Sequence, residues 1–238
     1  MSPRWIVAFA AWASVLTIGV ANASVLGGLT PQTLEAWNQA GGPGTPTILT
    51  CDNFALPAAT GAALASRPVQ LPAKCGSFTW TSHLGTWTIT TGQLRATTAN
   101  ATASINAGTT DVSAEATVLN ANGASRIAGI AINHTGATRI YLAAALSGPN
   151  TVQLRLVNGA TITTLASATV TIGASAVVRI TRIGTTVTVS VNGTLALTRV
   201  LTAGQVTTLS GGTRVGLYWN SGTTIRFTNM VATTAASP

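Results

Sequence analysis

Three carboxylates lie beyond residue 50: Asp52, Asp111 and Glu115. Asp111 and Glu115 are four apart on DVSAEATVLN, where apolar and polar residues alternate. On a regular strand the two share a face at about 13 Å. Glycoside hydrolysis needs its carboxyl groups about 5 Å apart for retention and roughly 6.5–9.5 Å for inversion. The pair is spaced too widely for that chemistry. The reading that fits is a turn cap at Asp111 and an arginine partner for Glu115. The two histidines, His83 in an expected loop and His134 after a strand end, lack the company a zinc site requires. No nucleophile elbow accompanies them.

Cys51 and Cys75 are the only cysteines, 24 positions apart. Asp52 is their one neighbour of a metal-ligand type, too few for a metal site, and they lack the C-x-x-C spacing of a redox centre. A disulfide is the expectation. It closes a Pro- and Ala-rich crossover, ALPAATGAALASRPVQLP, and stabilises by roughly 3 kcal/mol in the loop-entropy picture. The start of the chain fits that oxidising setting. Arg4, an apolar run from Trp5 to Val20 and Ala21-Asn22-Ala23 read as a cleavable signal peptide over 1–23. The expected product is secreted and bacterial in style, with no stable membrane span after cleavage. The intact mature chain should weigh two hydrogens less before reduction than after it; an unchanged mass contradicts the disulfide.

Twelve Lys or Arg face four Asp or Glu, a formal net charge of +8. The arginines stand singly, from Arg67 to Arg226, with no cluster denser than Arg179 and Arg182. A groove that tracks phosphates needs convergent charge, so nucleic acid is not an expected partner. Charged residues are only 7% of the chain, and 42 threonines supply polar surface instead. Threonine is β-branched and suits strands.

The elements follow from this text. Residues 24–50 form a leader, with one or two helical turns over LTPQTLEAW before GGPGTPT breaks regular structure. From residue 79 short alternating segments are split by turn signals such as Thr91-Gly92, Asn158-Gly159 and Asn192-Gly193. They predict an all-β, antiparallel two-sheet sandwich, or jelly roll, over 51–233, with a flexible tail at 234–238. A parallel β-helix would need coils of fixed length, and none recur.

Three pieces, in order, carry a resemblance: DNF at 52–54 followed by WTSHLGTWTITTGQLRATT; the hairpin VVRITRIGTTVTVSVNGTLAL; and the ending GGTRVGLYWNSGTTIRFTNMVAT. Together they resemble the concanavalin A-like lectin/glucanase superfamily in its laminin G-like jelly-roll form, as a non-catalytic member. The resemblance implies that the first and last strands pair, bringing Phe54 near Phe227. It implies glycan binding through exposed aromatic rings, with candidates Trp80, His83, Trp87, Tyr141, Tyr218, Trp219 and Asn220. Structural calcium at Asp52 or Asp111 is a weaker implication, since a basic domain is a poor host for a hard cation. The expected function is a binding or surface-structural module for cell-wall polysaccharide or a surface protein. A glycan hydrolase of the same fold and a purely structural surface protein are the alternatives.

Overall fold

The computed structural model describes residues 46–54, 62–64, 79–136, 138–222 and 224–235. The expected signal peptide, the helical turns of the leader and Cys75 lie outside them. The strands are β1 (Ile48–Asp52), β2 (Ala62–Ala63), β3 (Thr81–Leu84), β4 (Trp87–Thr90), β5 (Gln93–Ala96), β6 (Ala101–Asn106), β7 (Val112–Leu119) and β8 (Ile127–His134). They continue with β9 (Ile140–Ser147), β10 (Thr151–Asn158), β11 (Thr161–Thr169), β12 (Ser175–Ile183), β13 (Thr186–Val191), β14 (Thr194–Val200), β15 (Arg214–Ser221) and β16 (Arg226–Thr234). One sheet has nine strands: β14-β13-β12-β7-β16-β5-β4-β2, with β1 also on β16. The other has seven: β11-β10-β9-β8-β15-β6-β3. The pairings are antiparallel, from β1 on β16 to β8 on β9. The fold is thus the two-sheet antiparallel sandwich.

Alternation explains the core. Val112, Ala114, Ala116 and Val118 of β7 point inward, as do Val187, Val189 and Val191 of β13. Threonine and serine take the opposite face of β13. Each fully buried aliphatic side chain contributes about 1.5–3 kcal/mol. Four rings join the same core: Phe54 lies 5.8 Å from Trp80, and Trp87 lies 6.0 Å from Phe227. The first strand does lie on the last, with Cys51 opposite Val231. It begins at Ile48, inside the expected leader, and β16 runs on to Thr234, inside the expected tail.

Two local features depart from the sequence reading. Period-2 counting places Phe227, Asn229 and Val231 on one face of β16. Asn229 instead adopts φ 51° at a bulge. The extra residue turns the strand over, so Phe227, Met230 and Ala232 are buried. A short helix, α1 (Ala203–Thr208), also appears where none is expected. Its signal is the capping box: Gln205 N donates to Thr202 Oγ1 (3.3 Å), and Thr202 N donates to Gln205 Oε1 (3.0 Å). The helix buries no residue, so it has no apolar stripe to reveal it.

The middle strands of the seven-stranded sheet, β8, β9 and β15, are buried on both faces. Ala128, Ile130, Leu142, Ala144, Leu154 and Leu217 join the main core. On the outer face Ala131, Tyr141, Ala143, Ala145, Val157 and Tyr218 form a second buried cluster. Close strand contact demands glycine here. A Cβ on Gly216 would stand 1.9 Å from the Ala103 carbonyl oxygen, and one on Gly129 1.9 Å from that of Ala144. Gly204, in α1, has open space instead. Urea unfolding should show Gly216→Ala destabilised by about 3 kcal/mol, through backbone displacement. Gly204→Ala should gain up to about 1 kcal/mol. Equal effects at both positions would contradict the packing described.

Candidate functional site

The outer face of the seven-stranded sheet is laid out by register. One row runs Gln153, Ala145, Gly129, Tyr218, Thr102. The next runs Arg155, Ala143, Ala131, Gly216, Ser104, Thr81. Each row has small residues in the middle and polar side chains toward its ends. Small residues let long side chains lie along the sheet. Arg155 does so: its Nη1 donates to the Tyr218 hydroxyl (3.1 Å), and its Nε (2.9 Å) and Nη2 (2.5 Å) donate to Gln153 Oε1. Arg155 is 8% exposed, and its side-chain acceptors are neutral.

Beyond Tyr218 the rings form a column. Tyr218 and Tyr141 are 5.9 Å apart and tilted; Tyr141 and His134 stack at 4.8 Å; His134 and His83 stack at 4.2 Å. Arg214 closes this end. Its Nε donates to Ser104 Oγ (2.7 Å), and its Nη2 donates to Thr81 Oγ1 (2.8 Å) and to the Ser104 carbonyl (3.0 Å). Ser104 Oγ accepts from Arg214 and also hydrogen-bonds His83 Nε2, 2.7 Å away, in the direction set by the imidazole tautomer. His134 Nδ1 accepts from Gly136 N at 2.8 Å.

Burial and charge keep both imidazoles neutral. Burial, then Arg214, pushes His83 down to about 4. Burial, then His83, Arg214 and Arg139, pushes His134 down to about 3. Burial and Tyr218 push the Tyr141 hydroxyl up. The described carboxylates are committed elsewhere. Glu115 Oε2 pairs with Arg179 Nη2 (2.6 Å) and Nε (2.8 Å) across β7 and β12. Asp111 Oδ1 accepts from Gly184 N at 2.9 Å. The turn cap and the arginine partner are thus as expected.

The expected aromatic platform is corrected by burial. Trp80, Tyr141, Tyr218 and Trp219 are between 0 and 5% exposed, and Trp87 is 2% exposed. Trp80 Nε1 donates to Asp52 Oδ2 (2.8 Å), and Trp219 Nε1 to the Gly222 carbonyl (3.0 Å). These two tryptophans serve the main core. Asn220 Nδ2 donates to Asn100 Oδ1 at the sandwich end. His83 and His134 sit within β3 and β8 rather than in a loop and past a strand end. The calcium candidate Asp52 is wholly buried, its other oxygen accepting from Phe54 N at 2.7 Å. Among the described residues no three His, Cys, Asp or Glu are grouped to hold a metal. Sequence reasoning overlooked Gln153, Arg155 and Arg214. In TVQLRLVNG the signal was present: Gln153 and Arg155 oppose Val152, Leu154 and Leu156.

Neutral burial of the histidines makes stability depend on pH. In the unfolded chain both take protons near 6.5; in the fold they resist until about 4 and 3. The unfolded state therefore binds more protons below 6.5. Their contribution is full above 6.5 and falls as pH drops toward 4 and then 3. The thermal midpoint should decline already between pH 6.5 and 5, above ordinary carboxylate titration. The double variant His83→Gln/His134→Gln should flatten that segment. A wild-type midpoint constant over it would contradict the neutral column.

No family model matches the chain, and no curated protein matches it. Among solved structures, it is similar to a chain from work on endo-acting O-glycanases of prominent members of the human gut microbiota, at TM-score 0.51 and 9% identity, covering 79% of this chain and 99% of that one. It is also similar to the GH43 protein BlXynB of Bacillus licheniformis, at TM-score 0.50 and 17% identity. That match covers 78% of this chain and 39% of the longer protein. The carbohydrate-binding module CBM66 of Bacillus subtilis aligns at TM-score 0.47 and 12% identity, over 65% of this chain and 90% of the module. At these identities the first two matches show a shared fold alone.

Proposed function

We propose that the protein is a secreted, non-catalytic module that binds a glycan at the partly exposed margin of the outer face of its seven-stranded sheet. The observation that carries this reading is Gln153, partly exposed at that margin and fixed by the buried Arg155, which the Tyr218 hydroxyl holds in turn. Sugars are recognised by a few oriented polar groups set in an otherwise apolar surface. An arginine held at three of its five N–H groups is oriented in this way. Gln153, His83 and Arg214 at the margins of the face are partly exposed and add donors and acceptors. The outer face of the nine-stranded sheet is plainer: Thr117, Val177 and Thr181 surround the Glu115–Arg179 pair.

The non-catalytic half of the proposal rests on the carboxylates. Hydrolysis needs an acid and a nucleophile or base facing one substrate. Glu115 is neutralised by Arg179, Asp111 holds a turn and Asp52 is buried against Trp80. Export, the Cys51–Cys75 disulfide and a cell-wall polysaccharide as ligand complete the proposal. They rest on the signal-like start, the even cysteine pair and the threonine-rich surface.

A glycan array and a pull-down on cell-wall polysaccharide test it. The mature chain should bind. Arg155→Gln should lose at least tenfold in affinity with an unchanged circular dichroism spectrum, and Tyr218→Phe should weaken binding less. Glu115→Gln should leave binding intact. Retention of no glycan at all would favour a purely structural surface protein. Glycan hydrolysis that disappears in Glu115→Gln would overturn the non-catalytic reading.

A further inference from the structure

The ring column ends among polar groups that the fold leaves unanswered. His134 Nε2, the Tyr141 hydroxyl and Arg139 Nε are all buried, and none has a hydrogen-bond partner. His134 and Tyr141 are 1% and 0% exposed. Their rings stack, and Arg139 stands beside the Tyr141 hydroxyl without completing an aligned bond. The tautomer of His134 is set by its surroundings. Because Nδ1 accepts from Gly136 N, the neutral ring carries its proton on Nε2. Arg139 Nε–H can only donate. The tyrosine hydroxyl can donate as well. Three adjacent unpaired donors, two of them unable to accept, call for an acceptor from outside the chain.

Charge narrows the chemistry of that acceptor. Arg214 and Arg139 both act on His134, beside a neutral His83. No described carboxylate offsets them, since Asp52, Asp111 and Glu115 are engaged elsewhere. A cationic, donor-rich spot beside a hydroxyl-lined sheet suits an anion carried on a polyhydroxylated molecule. We infer that this end of the sheet binds the carboxylate of an acidic sugar, a uronate, on the partly exposed guanidinium groups of Arg139 and Arg214, with His134 Nε2 and the Tyr141 hydroxyl as the buried donors next to Arg139. The inference rests on the glycan-binding reading and names its ligand class. Arg139 and Arg214 are partly exposed, so the anionic group approaches from their side.

Isothermal titration of the full mature chain with trigalacturonate, galactotriose and sodium acetate tests the site. Trigalacturonate should bind at least tenfold tighter than galactotriose. Arg139→Gln should abolish that preference, and Arg214→Gln should reduce it, with unchanged thermal midpoints. A measurement without substitutions is the ¹⁵N resonance of His134 Nε2, which should move when trigalacturonate is added. Equal affinity for the charged and neutral trisaccharides overturns the anion site and leaves glycan binding standing. Failure of both to bind removes the two readings together. Acetate binding as tightly as trigalacturonate overturns the sugar assignment. An unmoved His134 resonance at saturation overturns the placement.

Discussion

The hydrogen bond from Arg155 to the Tyr218 hydroxyl joins β10 to β15, two strands that do not touch. They are separated by β9 and β8, so the span is three strand spacings, about 14 Å. Neither side chain reaches that far alone. Each must lie flat along the sheet and meet the other over its middle. That is feasible only where the intervening positions are small, and they are: Ala143, Ala145, Ala131, Gly129 and Gly216. One bulky residue in that floor would lift the arginine away from the tyrosine. The same floor lets Tyr141, His134 and His83 stack. The polar layout of the face therefore depends on a row of missing side chains.

Arginine chemistry elsewhere follows a second constraint. With few acids available, the chain satisfies guanidinium groups on backbone carbonyls. Arg126 clips the carbonyls of Asn120 and Gly148, Arg182 that of Gly184, and Arg226 its neighbour Ile225. Arg179 instead makes an ion pair with Glu115. Such arginines hold loops and strand ends in place and are spread around the molecule. Their isolated spacing along the chain matches this dispersal. The exception is the outer sheet face, where Arg139, Arg155 and Arg214 are brought together by the strand order rather than by sequence proximity.

Much of the fold was legible because antiparallel strands with one wet face write their geometry as alternation. Val187, Val189 and Val191 declare their side, and Asn192-Gly193 declares the hairpin. Pairing of the first and last strands was legible from the resemblance and is seen between β1 and β16. The rest was hidden for specific reasons. The bulge at Asn229 changes phase within a strand, and no residue type demands it. Two adjacent aromatics, Tyr218 and Trp219, suggest one exposed ring under the rule that a sheet buries one face; here both faces are buried. His83 and His134 are 51 positions apart in sequence yet stack, because β3 and β8 lie on the same sheet with β6 and β15 between them. Such a meeting is a property of topology, which spacing along a chain does not encode.

The central claim is that ligand recognition belongs to the outer face of the seven-stranded sheet, at its partly exposed margin. A crystal structure of the mature chain with a bound cell-wall oligosaccharide tests it most directly. The account predicts sugar density over that face, within hydrogen-bonding distance of the side chains between Arg155 and Arg214. Density confined to the outer face of the nine-stranded sheet, near Glu115 and Arg179, would contradict it.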